Sequence, residues 1–416
     1  MTWSAHLLFY PFLFVAIYFE TFLLVTFLSR GARVKRKALH TETRITPSVA
    51  IIVPCYNEEK TIAATIRSLL SLRYPREKLS LILVDDGSQD ATPHIMQSFA
   101  SHPSVTVIRK ENGGKYSALN AGIHAAPHAE IIGCLDADSF VDPDALKEII
   151  PLFSTPTVMA VTAAMAVHEP HSLFERVQHA EYIFGIAVRH ILSVINGLYV
   201  TPGPFSLYRR SVFSQLGDFA PGYQTEDMEM ALRMQRAGML IENAPRARVY
   251  TKAPSTLRGL IKQRTRWTSG FLRNVLFEYH DLIARPKYGA LGMLVLPIAL
   301  FSFVSGIFLF GLSLFLVGQH IVQALSVTSG VPLAYTLTPH FHWSWFYLPI
   351  SGITLLSAAL VLITVTFMVV GKRMARLPHP LGVNIIAYLL FYGFVSPLWL
   401  IRAVVDTVTK TERAWR

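Results

Sequence analysis

The stretch IIGCLDADSF, residues 131–140, decides the fold class that the sequence predicts. Its first five residues are mostly apolar and indicate the end of a buried strand, and Asp136 and Asp138 follow directly. Side chains two apart on an extended chain point the same way, so both carboxylates can converge at the strand's carboxyl end, where open α/β sheets bind ligands. Two anionic oxygen donors there suit a hard divalent cation that carries substrate phosphates, and a simple polar turn is the alternative.

Outside this stretch, strands and helices alternate from residue 48 to about residue 250. Repeated strand and helix units of this length predict a mostly parallel sheet covered by helices on both faces. The predicted strands are SVAIIVP (48–54), LSLILVDD (79–86), VTVIRK (105–110) and EIIGCLDAD (130–138). The predicted helices cover about 58–72, a segment ending near 99, 115–126 and 142–153.

The composition indicates a membrane protein. Hydrophobic residues make up 52% of the chain and charged residues 16%, with a mean hydropathy of +0.39. The net charge of +11 does not indicate a nucleic-acid partner, because basic residues crowd just after apolar runs at 30–37 and 372–376, as in membrane anchors. Four apolar segments are long enough to cross a bilayer: about 7–28, 293–317, 346–370 and 381–401. The two cysteines, Cys55 and Cys134, imply no disulfide framework.

The first apolar segment lacks a preceding basic region and a cleavage pattern, so it predicts a retained anchor with the amino terminus outside and the next domain in the cytoplasm. Four crossings would leave the carboxyl terminus outside, yet basic residues such as Arg402 and Lys410 lie there. A break at Pro397 would bring the tail inside, and both arrangements stay open. The expected divisions are an anchor (1–29), a basic juxtamembrane linker (30–47), a cytoplasmic α/β domain (48–254), amphipathic interfacial helices (255–288) and a carboxyl-terminal transmembrane region of about three spans (289–416).

Polar residues also follow the other predicted strands. Asp86, in LILVDDGSQDAT, could accept hydrogen bonds from a uracil ring or ribose hydroxyls, and Tyr56 offers a flat face to a nucleobase between Pro54 and Glu58. Lys115 opens a helix after two glycines and could contact a phosphate, although the Walker pattern GxxxxGK[ST] is absent. Ordinary turns, caps and a solvent-exposed helix start explain each of these equally well in isolation.

Two later motifs carry further chemistry. Glu226 and Asp227 begin a helix, whose dipole keeps an acid ionised, so a general base there needs partial burial to raise its pKa. Gln263, Arg266 and Trp267, in QRTRW, stand at i, i+3 and i+4 and share one helical face. A guanidinium suits a diphosphate and an indole suits the apolar face of a sugar ring. A capping acid, a snorkelling arginine and an interfacial tryptophan are the alternatives.

This ordered set, an acid pair, DxD, TED and then QxxRW before apolar spans, resembles the processive family 2 glycosyltransferases. That group contains bacterial poly-N-acetylglucosamine, chitin-oligosaccharide, hyaluronan and cellulose synthases. The resemblance covers about residues 48–283. It implies a GT-A-type, Rossmann-like α/β catalytic domain with a mostly parallel sheet and transmembrane α-helices on both sides, held in the cell inner membrane or plasma membrane. It also implies a UDP-sugar donor, a glycan acceptor and a divalent cation, magnesium or manganese.

The resemblance also implies a role for each matching residue. Asp227 matches the family's general base, and Asp138 matches its metal ligand, with Asp136 beside both the cation and the diphosphate. The donor-binding residues are expected to be Pro54, Tyr56, Glu58, Asp86, Lys115, Asp136, Gln263 and Arg266. The acceptor-binding residues are expected to be Gly203, Pro204, Glu226 and Trp267.

The sequence therefore predicts inverting transfer of N-acetylglucosamine or glucose from a UDP-sugar to a growing β-linked polysaccharide. Transfer of a single sugar to a lipid acceptor is the alternative within enzymes. Because one span precedes the domain and at most three follow it, polymer export would need an accessory subunit or a homo-oligomer. A transporter with a sensing domain is disfavoured, since the three later spans contain no Asp, Glu, Lys or Arg to mark an ion path, with Glu20 of the first span as the exception.

Overall fold

The computed structural model describes residues 7–39, 46–327, 350–378 and 380–410. The strands are β1 (Val49–Cys55), β2 (Leu79–Asp85), β3 (Val105–Arg109), β4 (Ile131–Cys134), β5 (Ser139–Val141), β6 (Val158–Val167), β7 (Ser206–Arg209) and β8 (Leu240–Thr251). The helices are α1 (Phe9–Leu39), α2 (Ile62–Leu70), α3 (Thr92–Gln97), α4 (Lys115–His124), α5 (Ala145–Ile149), α6 (Leu173–Val194), α7 (Arg210–Leu216), α8 (Glu226–Arg236), α9 (Leu257–Arg273), α10 (Leu296–Val327), α11 (Gly352–Ala375) and α12 (Gly382–Val408).

The strands form one sheet in the order β3-β2-β1-β4-β7-β6-β8-β5. The pairs β3–β2, β2–β1, β1–β4 and β6–β8 are parallel, whereas β7 runs antiparallel to both of its neighbours and β5 runs antiparallel to β8. All seven residues of β1 are buried, as expected of a strand covered on both faces. The predicted mostly parallel α/β sheet is confirmed, with an antiparallel element that the strand and helix alternation did not reveal.

The reversed strand β7 places a loop at the edge of the sheet where the site forms. Cys134, the last residue of β4, pairs with Ser206, the first residue of β7. The loop before β7, residues 201–205, therefore lies at the carboxyl end of β4, directly where the chain reaches Asp136.

The backbone at DxD differs from the prediction. Strand β4 ends at Cys134, and the amide of Ser139 donates a hydrogen bond of 3.0 Å to the carbonyl of Asp136, which closes a turn over 136–139. The chain is therefore not extended over DxD, so the strand alternation on which the expected common direction of the two carboxylates rested does not continue there. Asp136 forms an ion pair with Lys115, and Oδ1 of Asp138 accepts a hydrogen bond of 3.3 Å from the hydroxyl of Ser139.

Within the described residues, four helices are long and apolar enough to cross a membrane: Phe9–Ser29 within α1, Leu291–Val327 containing α10, Gly352–Ala375 and Gly382–Val408. Large apolar side chains on them are exposed, for example Val304 at 65% and Phe394 at 72%, which suits contact with lipid. Helix α1 runs on through Leu39, so much of the expected linker is helical. The first residues of the expected span 346–370 lie outside the described residues.

Pro397 does not break the last helix, contrary to the arrangement that would have returned the tail to the inside. Helix α12 runs continuously from Gly382 to Val408 with Pro397 buried inside it. Residues on both sides of the proline, Val395 and Trp399, pack against Leu260 of α9. Packing on both sides of Pro397 stabilises α12 as one helix despite the missing amide hydrogen bond.

Candidate active site

An ion pair stands at the carboxyl end of β4. The Nζ of Lys115, at the start of α4, lies 2.6 Å from Oδ1 of Asp136 and 3.0 Å from Oε1 of Glu226. Burial alone would lower the pKa of Lys115, but the carboxylates around it outweigh burial and raise its pKa above the ordinary value, so it stays charged. The sequence placed Lys115 against a donor phosphate, whereas in the structure it joins Asp136 to the TED motif.

Gly203 covers this ion pair. A Cβ built on Gly203 would lie 2.6 Å from Nζ of Lys115 and 2.9 Å from each carboxylate oxygen of Asp136. Glycine is therefore the residue that lets the loop before β7 approach the pair so closely. Gly203, a predicted acceptor-side residue, thus lies directly against Lys115 and Asp136, which were predicted on the donor side.

Asp227 lies in the first turn of α8 and is tied to the same loop. Its Oδ2 accepts a hydrogen bond of 3.0 Å from the amide of Gly203, and its carbonyl accepts one of 2.7 Å from the hydroxyl of Thr201. Loss of solvation, followed by repulsion from Glu226, outweighs the attraction of Lys115 and raises the pKa of Asp227 to about 6. Enclosure thus does offset the helix dipole, which gives a carboxylate suited to take a proton near neutral pH.

Asp86 is buried directly after β2, and its carboxylate accepts three hydrogen bonds. Its Oδ1 accepts from Nζ of Lys110 at 2.6 Å and from the amide of Gly113 at 3.0 Å, and its Oδ2 accepts from the amide of Gly114 at 2.9 Å. The carboxylate therefore shapes the glycine loop that leads to Lys115. A nucleoside would have to share Asp86 with these donors, since a carboxylate oxygen can accept two hydrogen bonds.

The end of β1 carries the other predicted donor-side residues. Pro54 is buried inside the strand, so it shapes the floor of the sheet edge and offers little surface to a ligand. Tyr56 is half-buried just beyond the strand. Glu58 accepts a hydrogen bond of 2.9 Å from the hydroxyl of Thr61 and so supports the start of α2.

The QRTRW residues reach different neighbours. Nη1 of Arg266 donates a hydrogen bond of 2.8 Å to the carbonyl of Gln224, just before TED. The guanidinium carbon of Arg264 lies 4.5 Å from the centroid of the Trp267 ring. Among the described residues, Oε1 of Gln263 is enclosed without a hydrogen-bond partner. Residues of one helical face therefore contact two different regions: Arg266 contacts the residue before TED, and Trp267 packs beside Arg264.

A cavity of about 730 Å³ opens between α8, α9 and the loop 220–224, within the usual size range of small-molecule sites. Of the predicted residues, Lys115, Glu226 and Arg266 line it. Trp267 and the two DxD carboxylates do not. Part of the predicted set therefore lines one cavity, and the rest is not part of its lining.

Sequence reasoning missed the residues that fix TED against α9. Nδ2 of Asn274 lies 2.9 Å from the carbonyl of Gly222 and 3.0 Å from the hydroxyl of Thr225. A Cβ on Gly270 would lie 2.5 Å from the side chain of Thr225, so α9 and the TED motif meet in very close contact. A glycine inside a predicted amphipathic helix was the available signal, because such a glycine often marks close packing.

Two carboxylates could hold a metal ion. In the part of the chain that the structure describes, no group of three or more His, Cys, Asp and Glu residues is arranged for that purpose. Asp136 and Asp138 are both partly exposed, and hard carboxylate oxygens are what Mg²⁺ takes when substrate phosphates and water supply its other ligands. The donor set therefore fits a cation that arrives with a phosphorylated substrate.

Comparison with known proteins assigns the family. A family model described as glycosyltransferase like family 2 matches residues 47–270, more than half of the chain. The chain belongs to glycosyltransferase family 2. The match contains TED and QRTRW as well as both acid pairs.

Relatives of this family 2 glycosyltransferase include synthases of a polysaccharide. It is 31% identical over 285 residues to a poly-β-1,6-N-acetyl-D-glucosamine synthase of Staphylococcus epidermidis, and the match covers 68% of each chain. It is 29% identical over 286 residues to the enzyme of that name from Staphylococcus aureus, again over 68% of each chain. Its fold is similar to a mannosyltransferase of Pyrobaculum calidifontis solved with GDP-mannose and Mn²⁺, with a TM-score of 0.60, 20% identity and coverage of 96% and 99% of the two chains.

Proposed function

We propose that this family 2 glycosyltransferase transfers a sugar, N-acetylglucosamine or glucose, from a UDP-sugar to a growing β-linked polysaccharide with inversion. The observation that carries the proposal is the environment of Asp227, a carboxylate with a raised pKa that is hydrogen-bonded to the loop covering the Lys115–Asp136 pair. The relatives named as poly-β-1,6-N-acetyl-D-glucosamine synthases support N-acetylglucosamine as the sugar.

In the proposed reaction, Asp227 takes the proton of an acceptor hydroxyl as that oxygen attacks the anomeric carbon. The bond from that carbon to the diphosphate breaks, UDP leaves with the electron pair, and one direct displacement gives a β linkage from an α-linked donor. A protonated Asp227 cannot perform this step, so its pKa of about 6 leaves it competent at neutral pH.

The remaining predicted residues keep their proposed roles. Asp86 binds the uridine of the donor while it holds the glycine loop, and Arg266 stabilises the diphosphate from the TED side of the cavity. A divalent cation held at Asp136 and Asp138 would supply charge neutralisation for the departing diphosphate. The donor side in this proposal is completed by Pro54, Tyr56, Glu58, Lys115 and Gln263. The acceptor side is formed by Gly203, Pro204, Glu226 and Trp267.

We place the protein in the cell inner membrane or plasma membrane, with the catalytic domain in the cytoplasm. The basic residues after the first span support this orientation, together with the four apolar helices. Among the described residues these four candidate spans are few for a wide polymer channel, which favours single-sugar transfer to a lipid as the second candidate or requires an accessory subunit or homo-oligomer.

A radiolabelled donor panel with membranes that contain the protein tests the proposal. UDP-N-acetylglucosamine, UDP-glucose and GDP-mannose are compared with Mg²⁺, with Mn²⁺ and with a chelator, and the products are sized. We expect label from a UDP-sugar to enter long products only when a cation is present. One-sugar lipid products would favour the second candidate, and labelled product from GDP-mannose alone would overturn the assigned donor.

A further inference from the structure

Helix α6 carries a guanidinium that none of the predicted motifs includes. Glu181, Gly185 and Arg189 stand four residues apart and so share one face of the helix. A Cβ on Gly185 would lie 3.1 Å from Nη1 of Arg189, so the guanidinium lies over this glycine and points back along the helix towards Glu181.

The hydrogen-bonding capacity of Arg189 is largely unused. Its Nε and Nη2 are enclosed and have no hydrogen-bond partner among the described residues, although the side chain as a whole is partly exposed. The groups that face it electrostatically are Glu181 and the hydroxyls of Tyr182 and Tyr199. Enclosed N–H groups of a charged side chain are costly when unpaired, so this arrangement is unfavourable until an acceptor reaches it.

Arg264 of α9 faces the same carboxylate. Its Nη2 lies 2.7 Å from Oε2 of Glu181, and its guanidinium lies over the rings of Trp267 and Tyr182. Arg264 is only 7% exposed, and its Nε has no hydrogen-bond partner in the described part of the chain. Two guanidinium groups around one carboxylate leave an excess positive charge in a poorly solvated place.

The position of this cluster lies between the catalytic residues and the apolar helices. Asp138 of the DxD motif lies close enough to Tyr182 to interact with it electrostatically. Tyr199 lies four residues before Gly203 in the sequence. Helix α6 packs closely on α11, because a Cβ on Gly371 would overlap the carbonyl oxygen of Ile183. The cluster is therefore flanked by the DxD motif on one side and by an apolar helix on the other.

We propose that Arg189 and Arg264 bind a phosphate group on the acceptor side, separate from the diphosphate of the donor. The unpaired N–H groups of a planar guanidinium match phosphate oxygens, and the tyrosine hydroxyls supply additional donors. The assignment to the acceptor rests on the proposed function. Two sources share this chemistry, a phosphate on a lipid-linked acceptor or lipid headgroup and a free phosphate.

Thermal unfolding of the full-length protein in phosphatidylcholine nanodiscs tests the site with inorganic phosphate as the probe. Saturating UDP and Mn²⁺ occupy the donor site throughout. We expect phosphate to raise the apparent melting temperature of the wild-type protein by about 2 °C or more, as a ligand that binds only the folded state does. Arg189→Met should lose this shift, and Arg258→Met, which alters an exposed arginine of α9, should keep it.

The same samples also test whether Arg189 has a structural role only. Because two nitrogens of Arg189 are enclosed and unpaired, Arg189→Met should melt at the wild-type temperature or higher when phosphate is absent. Arg189→Lys keeps the charge without the planar fork and should show a weaker phosphate shift. A clear loss of stability in Arg189→Met without phosphate would overturn the proposal, as would an equal phosphate shift in wild type and Arg189→Met.

The remaining outcomes separate the sources. A wild-type phosphate shift that occurs only without UDP, or no shift at all, would overturn a second site. If nanodiscs that contain phosphatidylglycerol raise the melting temperature of wild type but not of Arg189→Met, and make added phosphate ineffective, the ligand is a lipid headgroup. Turnover is not needed for these measurements, so absent UDP release would count against the proposed function and leave this test intact.

Discussion

Asp227→Asn is expected to lower turnover about 10²- to 10⁴-fold while UDP binds with nearly wild-type affinity. Asparagine keeps the size of the side chain, and its amide oxygen can still accept a hydrogen bond from the amide of Gly203. It cannot take a proton from an acceptor hydroxyl. UDP release in a coupled assay measures turnover, and calorimetry measures UDP affinity in the same preparation.

The raised pKa of Asp227 adds two pH dependences. Wild-type turnover should fall as pH drops through about 6, because protonation removes the base. Since the pKa is higher in the folded protein than the ordinary 3.8, this group stabilises the fold at low pH, and that contribution is lost as pH rises through about 6. Asp227→Asn should lack this loss.

The matched control is Asp218→Asn, which removes a partly exposed carboxylate that pairs with His124 and does not line the cavity. It should keep both turnover and the acid limb of the pH profile. Wild-type turnover in Asp227→Asn would remove Asp227 from its proposed role, and lost UDP binding would show that this carboxylate serves the donor instead.

Gly203→Ala is expected to reduce turnover at least about tenfold, although it adds a single methyl group. The new Cβ would lie 2.6 Å from Nζ of Lys115 and 2.9 Å from the oxygens of Asp136, distances at which atoms must move. Either the ion pair opens or the loop withdraws its amide from Asp227. Small displacements of positioned groups are enough for losses of this size.

Gly311→Ala is the control, because a Cβ there meets nothing within 4 Å in α10. UDP release from both variants, with their melting temperatures, separates a local effect from unfolding. Gly203→Ala with wild-type turnover would mean that the loop before β7 does not cover the Lys115–Asp136 pair in the working enzyme.

The fold could be predicted from local patterns because its strands and helices are periodic over many residues. Alternating apolar strands and amphipathic helices gave the parallel part of the sheet, and long apolar runs gave the four candidate spans. The reversal of β7 depends on pairing between Cys134 and Ser206, which lie far apart in the sequence. The continuity of α12 through Pro397 depends in the same way on packing against α9.

The residue types of the site were predictable, but their contacts were not. The order of the motifs pointed to Asp136, Asp227 and Arg266, because each of these residues lies in a short motif that can be read from the sequence. That Lys115 pairs with Asp136 under Gly203 follows from where β4 meets β7. The turn that begins at Asp136 could not be predicted from the apolar run before it, because it depends on a hydrogen bond from the amide of Ser139.

Release of UDP by the purified protein tests the central claim most directly. The protein in nanodiscs is incubated with UDP-N-acetylglucosamine or UDP-glucose and Mg²⁺ or Mn²⁺, and free UDP is measured over time in wild type and in Asp227→Asn. The account predicts continuous release by wild type from at least one of these donors, almost none without a cation, and almost none by Asp227→Asn. No release from either UDP-sugar with either cation, in protein that still binds UDP, would contradict it.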